Sequence, residues 1–535
     1  MHEMKNKPLA ENKSNRFIDI REPGIISLGI FMAILSAIIC MQIMGQLGIT
    51  PNTSLIGAVL VMIFARLPMK LTQRFRHPER QNYVLSMASA AGFAAANCGF
   101  VAIATIFILG RNDLILPIAL GSLMGCLVSV FTAGRLFDSQ IFPARGAWPM
   151  GQAVATTIEA GDKGGRKAIE LCQGLAVGAV ASLLGIPAAG VGIAFIADMV
   201  TLAALAGGIL LRGFSTYVFN GFDIGGTNIA QGIMIGAGIV ALGQIIRTIS
   251  KGNRKHTNLT IPTDESTAIT APTVNDNQAK KTLFVSIVLH TLCVILLAAI
   301  TGVFGEMGIS MGIAWVAFAG FATFMTMVLV GTASMHSGWA PGFAVVTLFL
   351  TIGMLLGFPM VPLVVLVGYL GAVGMPIHDT GIGLKTGWLI RNKNANPAHE
   401  SFGRRQQVLI KYLGAIIGIG VSLIFGIVLL NNDVVPPMSL FYATTVAEAI
   451  NPTLLRELAL WAIPGAALQA AFGNKSVGLM LATGLLINNP IFGIALMAAI
   501  VVRRIFGAEK MAVRAPGLIA GDGLVGFGMN IWRVF

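Results

Sequence analysis

Charge is scarce in this chain. Only 11% of its 535 residues are Asp, Glu, Lys or Arg, against about 25% in a soluble domain. That deficit excludes an ordinary water-facing surface, and the 55% of hydrophobic residues must be solvated by lipid. Soluble-enzyme signatures are also missing. There is no Gly-x4-Gly-Lys-Ser/Thr loop, no His-Glu-x2-His helix and no Gly-x-Ser-x-Gly elbow. The nearest approach, Gly381-Ile382-Gly383-Leu384-Lys385-Thr386-Gly387, lacks the spacing of a phosphate loop. Five cysteines (Cys40, Cys98, Cys126, Cys172, Cys293) lie in apolar segments without paired spacing. They are expected in the core and point to neither disulfides nor zinc. Met1–Glu22 has no short apolar run with a small-residue cleavage site, so no removable signal peptide is expected. What remains is an all-α polytopic membrane protein, expected not to be an enzyme and to hold no cofactor and no metal of its own.

The net charge of +13 could suggest nucleic acid, but its placement argues for topology. Basic residues cluster at 5–21, 70–80, 163–167, 247–281, 385–411 and 503–514, in the connections between apolar runs. That is the bias of cytoplasmic loops. It predicts a cytoplasmic N-terminus and no nucleic-acid partner. The longest polar stretch, Arg247–Lys281, is too hydrophilic to form a core and reads as a flexible loop.

At about 20 residues per crossing, the apolar runs predict roughly 16 transmembrane or re-entrant helices. Before the central loop they fall at Gly24–Leu47, Ser54–Leu67, Tyr83–Gly110, Leu114–Gly134, Ala168–Ile186, Ala189–Leu211 and Ile229–Ile246. An odd number of crossings cannot begin and end on one side. Either a crossing is hidden between Arg212 and Asn228, or one candidate does not cross.

The order of features then repeats. Gly99-Phe100-Val101-Ala102 opens a run much as Gly342-Phe343-Ala344-Val345 does, and each follows a small-residue stretch. A polar hairpin follows in each half, Gly134–Arg166 and then Gly374–Arg405. Later, Gly232-x3-Gly236-x-Gly238 matches Gly517-x3-Gly521-x-Gly523 in spacing. Because corresponding hairpins are basic in both halves, parallel repeats are expected, related by an axis along the membrane normal. The expected division is a cytoplasmic segment at 1–23, a first repeat at 24–248, a linker at 249–280 and a second repeat with an insertion at 281–535.

Polar groups and helix breakers inside apolar runs are functional candidates, because lipid tolerates irregular backbone only along a cavity or inside protein. Met375-Pro376-Ile377-His378-Asp379-Thr380-Gly381-Ile382-Gly383, followed by Lys385, Trp388 and Arg391, combines breakers with groups that could exchange protons or stack on a ligand. A solvated turn is the plainer account. In the first half, Asp138, Gln140, Pro143, Arg145, Trp148 and Gln152 form the counterpart. Asp138 and Arg145 would meet the amine and carboxylate of a zwitterion, or simply form an exposed ion pair. His336, Gly338, Trp339, Pro341 and Gly342 interrupt two runs, and the imidazole titrates near neutral pH. Asn97 beside Gly99, Asp223 and Asn228, and Asp522 between Gly521 and Gly523 likewise pair polarity with flexible backbone. Asp198, His290 and Glu448 lie in or near apolar runs without such breaks.

Four stretches resemble the oligopeptide transporter family, which includes the yellow-stripe-like metal–chelate transporters. They are Pro51-Asn52-Thr53-Ser54, Ser337 through Gly342, Met375 through Arg391, and Gly517-Leu518-Ile519-Ala520-Gly521-Asp522-Gly523-Leu524. They occur in family order, and compact loops resemble a bacterial member. The resemblance implies a proton-coupled importer of about sixteen helices from an internal duplication. Its substrates would be small peptides, peptide-like compounds or metal–chelate complexes.

The expectation is therefore a secondary active transporter in a bacterial inner membrane, working by symport with protons, with a second copy of the chain (a homodimer) as a candidate partner in the lipid bilayer. Substrate would contact Asn97, Asp138, Gln140, Arg145, Trp148, Gln152, His336, Trp339, His378, Lys385 and Trp388. Protons would couple through His336, His378, Asp379 and Asp522. Gly99, Pro143, Gly338, Pro341, Gly342, Pro376, Gly381, Gly383, Gly521 and Gly523 would break helices or gate. The alternative is a gradient-independent channel or facilitator, with the polar breaks as its filter.

Overall fold

The structure is a computed structural model describing residues 17–47, 54, 57, 58, 61, 72–163, 165–252, 272–338, 340–393, 395–447, 452–473, 476–511 and 513–534. It is an all-α polytopic membrane protein. In chain order the helices are α1 (Pro23–Leu47), α2 (Pro78–Phe93), a π-helical segment (Ala94–Phe100), α3 (Val101–Ile108), α4 (Ile115–Leu136), α5 (Pro149–Lys163), α6 (Gly165–Leu183), α7 (Ala188–Ile196), α8 (Met199–Val218) and α9 (Ile229–Gly252). After the central loop come α10 (Asp276–Ile300), α11 (Ile309–Ser337), α12 (Gly342–Leu355), α13 (Met360–Ile390), α14 (Pro397–Asn431), α15 (Pro437–Ala447), α16 (Pro452–Phe472), α17 (Val477–Leu485), α18 (Pro490–Phe506) and α19 (Arg514–Val534).

Among the described residues, 8 helices are long and apolar enough to cross a membrane. Shorter apolar helices, among them Ile169–Leu183, Ile229–Ala241 and Gly342–Leu355, accompany them. The Ala189–Leu211 run, expected as one helix, divides at Ala197–Asp198 into α7 and α8. Asp198 caps the second piece, accepting from the Thr201 N–H at 2.9 Å. At 9 residues, α7 rises only about 14 Å, half of a hydrocarbon core. No hidden helix crosses between Arg212 and Asn228, where α8 ends and a short turn at Ile224–Gly226 follows.

Several expected helix breaks are continuous helix. α13 runs 31 residues through Pro376, Gly381 and Gly383, and α19 runs through Gly521 and Gly523. Neighbouring helices make a proline tolerable at this depth; the Ala372 carbonyl that Pro376 cannot serve lies against Gly125 of α4. The glycines act by being small rather than by bending. A Cβ at Gly381 would overlap the Trp148 indole, and one at Gly99 would overlap the Ser422 side chain. True breaks occur at Gly338, which ends α11 with φ +74°, and at Pro341, which precedes α12.

The last helix of each half packs against a helix of the other half, α19 on α6 and α9 on α16. The contacts are reciprocal. Gly178 abuts the Leu518 carbonyl as Gly465 abuts that of Ile233, and Gly521 abuts the Leu175 carbonyl as Gly236 abuts that of Ala462. Gly517 and Gly232 meet Leu171 and Leu458 in the same way. Residues 171, 175 and 178 stand at one constant step from 458, 462 and 465; 232, 233 and 236 do so from 517, 518 and 521. Small residues let helix backbones approach in this manner where no hydrophobic force drives them together.

The cysteines expected in the core divide. Cys40, Cys98 and Cys126 are buried, Cys293 is half-buried and Cys172 is exposed, on α6, whose Ile169, Val177, Val180 and Leu183 are exposed as well.

Candidate functional site: two cavities in series

Two cavities lie between the helices. The inner one, of about 120 Å³, is lined by Asn97 from the π segment, His378 from α13, Tyr442 from α15, Thr483 from α17 and four methionines, Met44, Met150, Met375 and Met438. Gly338, Ala340, Gly342 and Phe343 line it too, so the α11–α12 break opens directly onto it. Its described lining holds no Asp, Glu, Lys or Arg. The outer chamber, of about 730 Å³, is lined by residues of α7 and α15, the C-terminal end of α17 and the middle of α19, with Arg212, Gln231, Asn488, Asn489 and Asp522 among its polar groups. Ile193, Phe343, Met438 and Thr483 line both cavities and form a mostly apolar neck between them.

The π segment has a direct consequence here. One extra residue per turn re-aims side chains in an otherwise regular helix, and such bulges concentrate at functional sites. It carries Asn97 to the cavity and sets Gly99 against Ser422 of α14. His378 is 5% exposed. Its Nδ1 shares a 2.8 Å hydrogen bond with Ser334 Oγ, and the ring stands edge-on to Phe93.

Asp379, next in sequence, faces away from that cavity. It accepts from Lys411 Nζ of α14 at 2.5 Å, and the same ammonium reaches Ser89 Oγ at 3.3 Å. Toward the ends of α2, α13 and α14, a second buried cluster joins Glu79, Tyr83, Arg391, His399 and Glu400. Arg391 Nε donates to Glu400 at 2.7 Å, and Tyr83 OH donates to Glu79 at 2.9 Å. Burial alone would lower the Arg391 pKa; the Glu400 carboxylate, together with Tyr83 and Glu79, more than offsets this and holds the guanidinium above its ordinary value.

The first-half hairpin is built differently from expectation. The Asp138 carboxylate accepts from the Ala144 N–H, the Thr273 N–H and the Thr273 hydroxyl, which ties the hairpin to the chain before α10. Arg145 is exposed, and the two do not meet across either cavity. Lys385 donates to the Ala144 and Gly146 carbonyls at 2.7 and 3.0 Å and lies over the Trp388 ring. Trp148 is 1% exposed and donates its Nε1–H to the Pro143 carbonyl. This hairpin is therefore locked onto α13 by Lys385 and Trp148. Gln140 donates to Asp276 and Gln152 to the Ala147 carbonyl, both at exposed positions.

His336 is exposed in the last turn of α11 and lines neither cavity. Trp339 and Glu448 lie outside the described residues. Asp522 does line the outer chamber, and its Oδ2 accepts from the Ala189 N–H at 2.7 Å. It thus caps the N-terminus of α7, where orphan donors and the helix dipole favour an anion. Asp223 pairs with Arg212, Asn228 donates to Glu457, and buried His290 shares a 2.8 Å bond with Tyr369. Among the described residues no cluster of three or more His, Cys, Asp or Glu could hold a metal ion.

Sequence reasoning missed Lys411, Tyr442, Thr483 and the methionines. Lys411 is legible in principle, since it sits three residues inside an apolar run, where a charge marks function; the basic stretch just before it hides the signal. The methionines carry no such signal in a chain with 25 of them.

Residues 24–242 match the family model described as OPT oligopeptide transporter protein. No match to a curated protein was found.

Proposed function

We propose, starting from the OPT oligopeptide transporter family domain at residues 24–242, that this multi-pass membrane protein is a secondary active transporter. It moves small oligopeptides, or peptide-like and metal–chelate compounds, into a bacterial cytoplasm by symport with protons. The observation that carries this reading is the pair of cavities in series, joined at the neck of Ile193, Phe343, Met438 and Thr483.

Their sizes assign the parts. Ligand pockets run to about 300–1,000 Å³, which suits the outer chamber of about 730 Å³ and a peptide-sized solute. Its Arg212 and Asp522 offer charges of both signs. The inner cavity of about 120 Å³ admits one side chain or terminus at a time, so passage of a whole substrate requires the neck to widen. That favours alternating access over an open pore.

The architecture offers a moving part. The reciprocal packing of α6 on α19 and of α16 on α9 supports two interlocked repeats. Rocking of one substructure against the other would open the chamber to alternate sides. Asn97, His378 and Asp522, which line the cavities, contact the substrate. Trp148 and Lys385 hold the hairpin against α13.

Uptake in proteoliposomes tests the reading. Labelled di- to tetrapeptides and iron–chelator complexes are offered with and without an inward proton gradient. Accumulation that requires the gradient and collapses with uncoupler is expected. Uptake indifferent to both would make the protein a facilitator.

A further inference from the structure

A lysine at membrane depth is costly even when paired. Removing two charges from water costs several kcal/mol per ion in real proteins, so a buried ion pair is weak evidence for stability and invites another explanation. Lys411 is 0% and Asp379 2% exposed, Asp379 well inside α13 and Lys411 three residues into the apolar part of α14. The Lys411 ammonium holds Asp379 Oδ2 and Ser89 Oγ. The second carboxylate oxygen, Oδ1, is buried with no hydrogen-bond partner among the described residues. A proton can be added there without displacing Lys411.

Among the described residues no other charged side chain touches the pair. α1 brings Cys40 and the π segment brings Cys98 within electrostatic reach of the carboxylate. α2 contributes the hydroxyls of Ser86 and Ser89, and α13 itself contributes His378, which feels the Lys411 charge. On α14, Gln407 donates to Ser86 Oγ and to the Gly383 carbonyl, and its own Oε1 is unpartnered. Lys385, farther along α13, is engaged with the first-half hairpin. The next charges on this seam belong to the Arg391–Glu400 cluster. Arg391 lies twelve residues from Asp379, roughly 18 Å along the helix at about 1.5 Å per residue.

We propose that the Lys411–Asp379 pair is the proton-binding element of the transport cycle, joining α13 and α14 when deprotonated and releasing them when it takes up a proton. This rests on the symport reading above. A proton from the inner-cavity side, where His378 stands, adds to Asp379 Oδ1 and makes a neutral carboxyl. The Lys411 ammonium, now without a counterion, gives one proton by way of the Ser89 hydroxyl to water on the cytoplasmic side and becomes an amine. The carboxyl proton then passes to the amine, and the ion pair is restored. One proton has entered and one has left, with only O–H and N–H bonds made and broken. While the carboxyl is neutral, the electrostatic tie between α13 and α14 is absent, and the helix bearing His378 is free to shift.

The test compares wild type, Asp379→Asn and the double variant Asp379→Asn/Lys411→Met, in which no unpaired charge is buried. Three readouts are taken: gradient-driven accumulation of tritiated trialanine, trialanine exchange at equal pH, and infrared difference spectra of the purified proteins between acid and alkaline pH. Accumulation is expected to fall to the equilibrium level in both variants while the double variant keeps exchange. The protonated-carboxyl band of the wild type is expected to lose its Asp379 contribution in both. Accumulation retained in the double variant, an unchanged carboxyl band, or exchange lost along with accumulation in the double variant would each overturn the proposal. Wild-type uptake indifferent to the gradient overturns the symport reading instead, and the infrared band, which needs no substrate, then reports separately whether this pair binds a proton.

Discussion

The Asp522 carboxylate accepts a 2.7 Å hydrogen bond from the Ala189 backbone N–H, so the last helix of the chain caps a half-helix from the first half. The Asp522 backbone carbonyl also accepts from Ser182 Oγ at 3.3 Å. An acid in this position earns its place by geometry whether or not it exchanges protons.

Asparagine can keep that cap and alanine cannot. Asp522→Asn is expected to retain folding and the coupling of uptake to the gradient, with a raised KM because the outer chamber loses a charge. Asp522→Ala should cost about 0.5–2 kcal/mol, the usual loss on removing a capping acceptor, and lower the thermal midpoint. Thermal unfolding in detergent, followed by uptake assays on the same preparations, checks both. Loss of coupling in Asp522→Asn at unchanged stability would return Asp522 to the proton pathway.

Gly381 leaves the space that Trp148 fills. Because a Cβ at that position would overlap the indole, Gly381→Ala is expected to destabilise by about 1–3 kcal/mol, as overpacked cores do. Gly381→Ala/Trp148→Phe should recover part of the loss. Intrinsic fluorescence melting reads the first, and a second probe such as circular dichroism reads the pair, since Trp148 is removed there.

The reciprocal glycines give a symmetric prediction. Gly178→Val and Gly465→Val each drive a side chain into a backbone carbonyl, which cannot rotate away. Both should destabilise to a similar degree, whereas Gly243→Ala, with nothing within 4 Å of its Cβ position, should be nearly silent. A thermal-shift series on the three proteins decides. A silent Gly465→Val beside a damaging Gly178→Val would argue against equivalent halves.

Topology can be read by labelling. In a background with Cys172→Ser, Glu265→Cys and Ala395→Cys should react with a membrane-impermeant thiol reagent only in inverted vesicles or permeabilised cells. This follows from the basic stretch at 247–281, from Arg391 and Lys393 in the short connection between α13 and α14, and from the positive-inside bias. Labelling from the outside of intact cells would invert the orientation.

Much of the framework was legible because its cause is local. Runs such as Gly24–Leu47 and Leu114–Gly134 became α1 and α4 with small changes at their ends, since lipid permits few structures other than a hydrogen-bonded helix. The Gly338–Pro341 break was legible for the same reason, as a glycine with positive φ and a proline act on their own backbone. Pro376, Gly381 and Gly383 are expected as breaks but lie in continuous helix, because the same residue types serve two ends. Whether a glycine bends a helix or admits a neighbour depends on Trp148 and Lys411, which lie far away in the chain.

The sequence by itself determined that this chain dissolves in lipid, where most of its helices lie, and that its polar residues at depth are worth attention. Those properties follow from composition and from backbone hydrogen bonding within single segments. Only the tertiary structure decided the partners. It placed His378 at a cavity and Asp379, one residue on, against Lys411, because neighbouring residues on a helix point about 100° apart. It turned Asp138 and Lys385 into fasteners of a hairpin and Asp522 into a cap. Such roles are set by which backbone groups stand opposite, and no single segment contains that information.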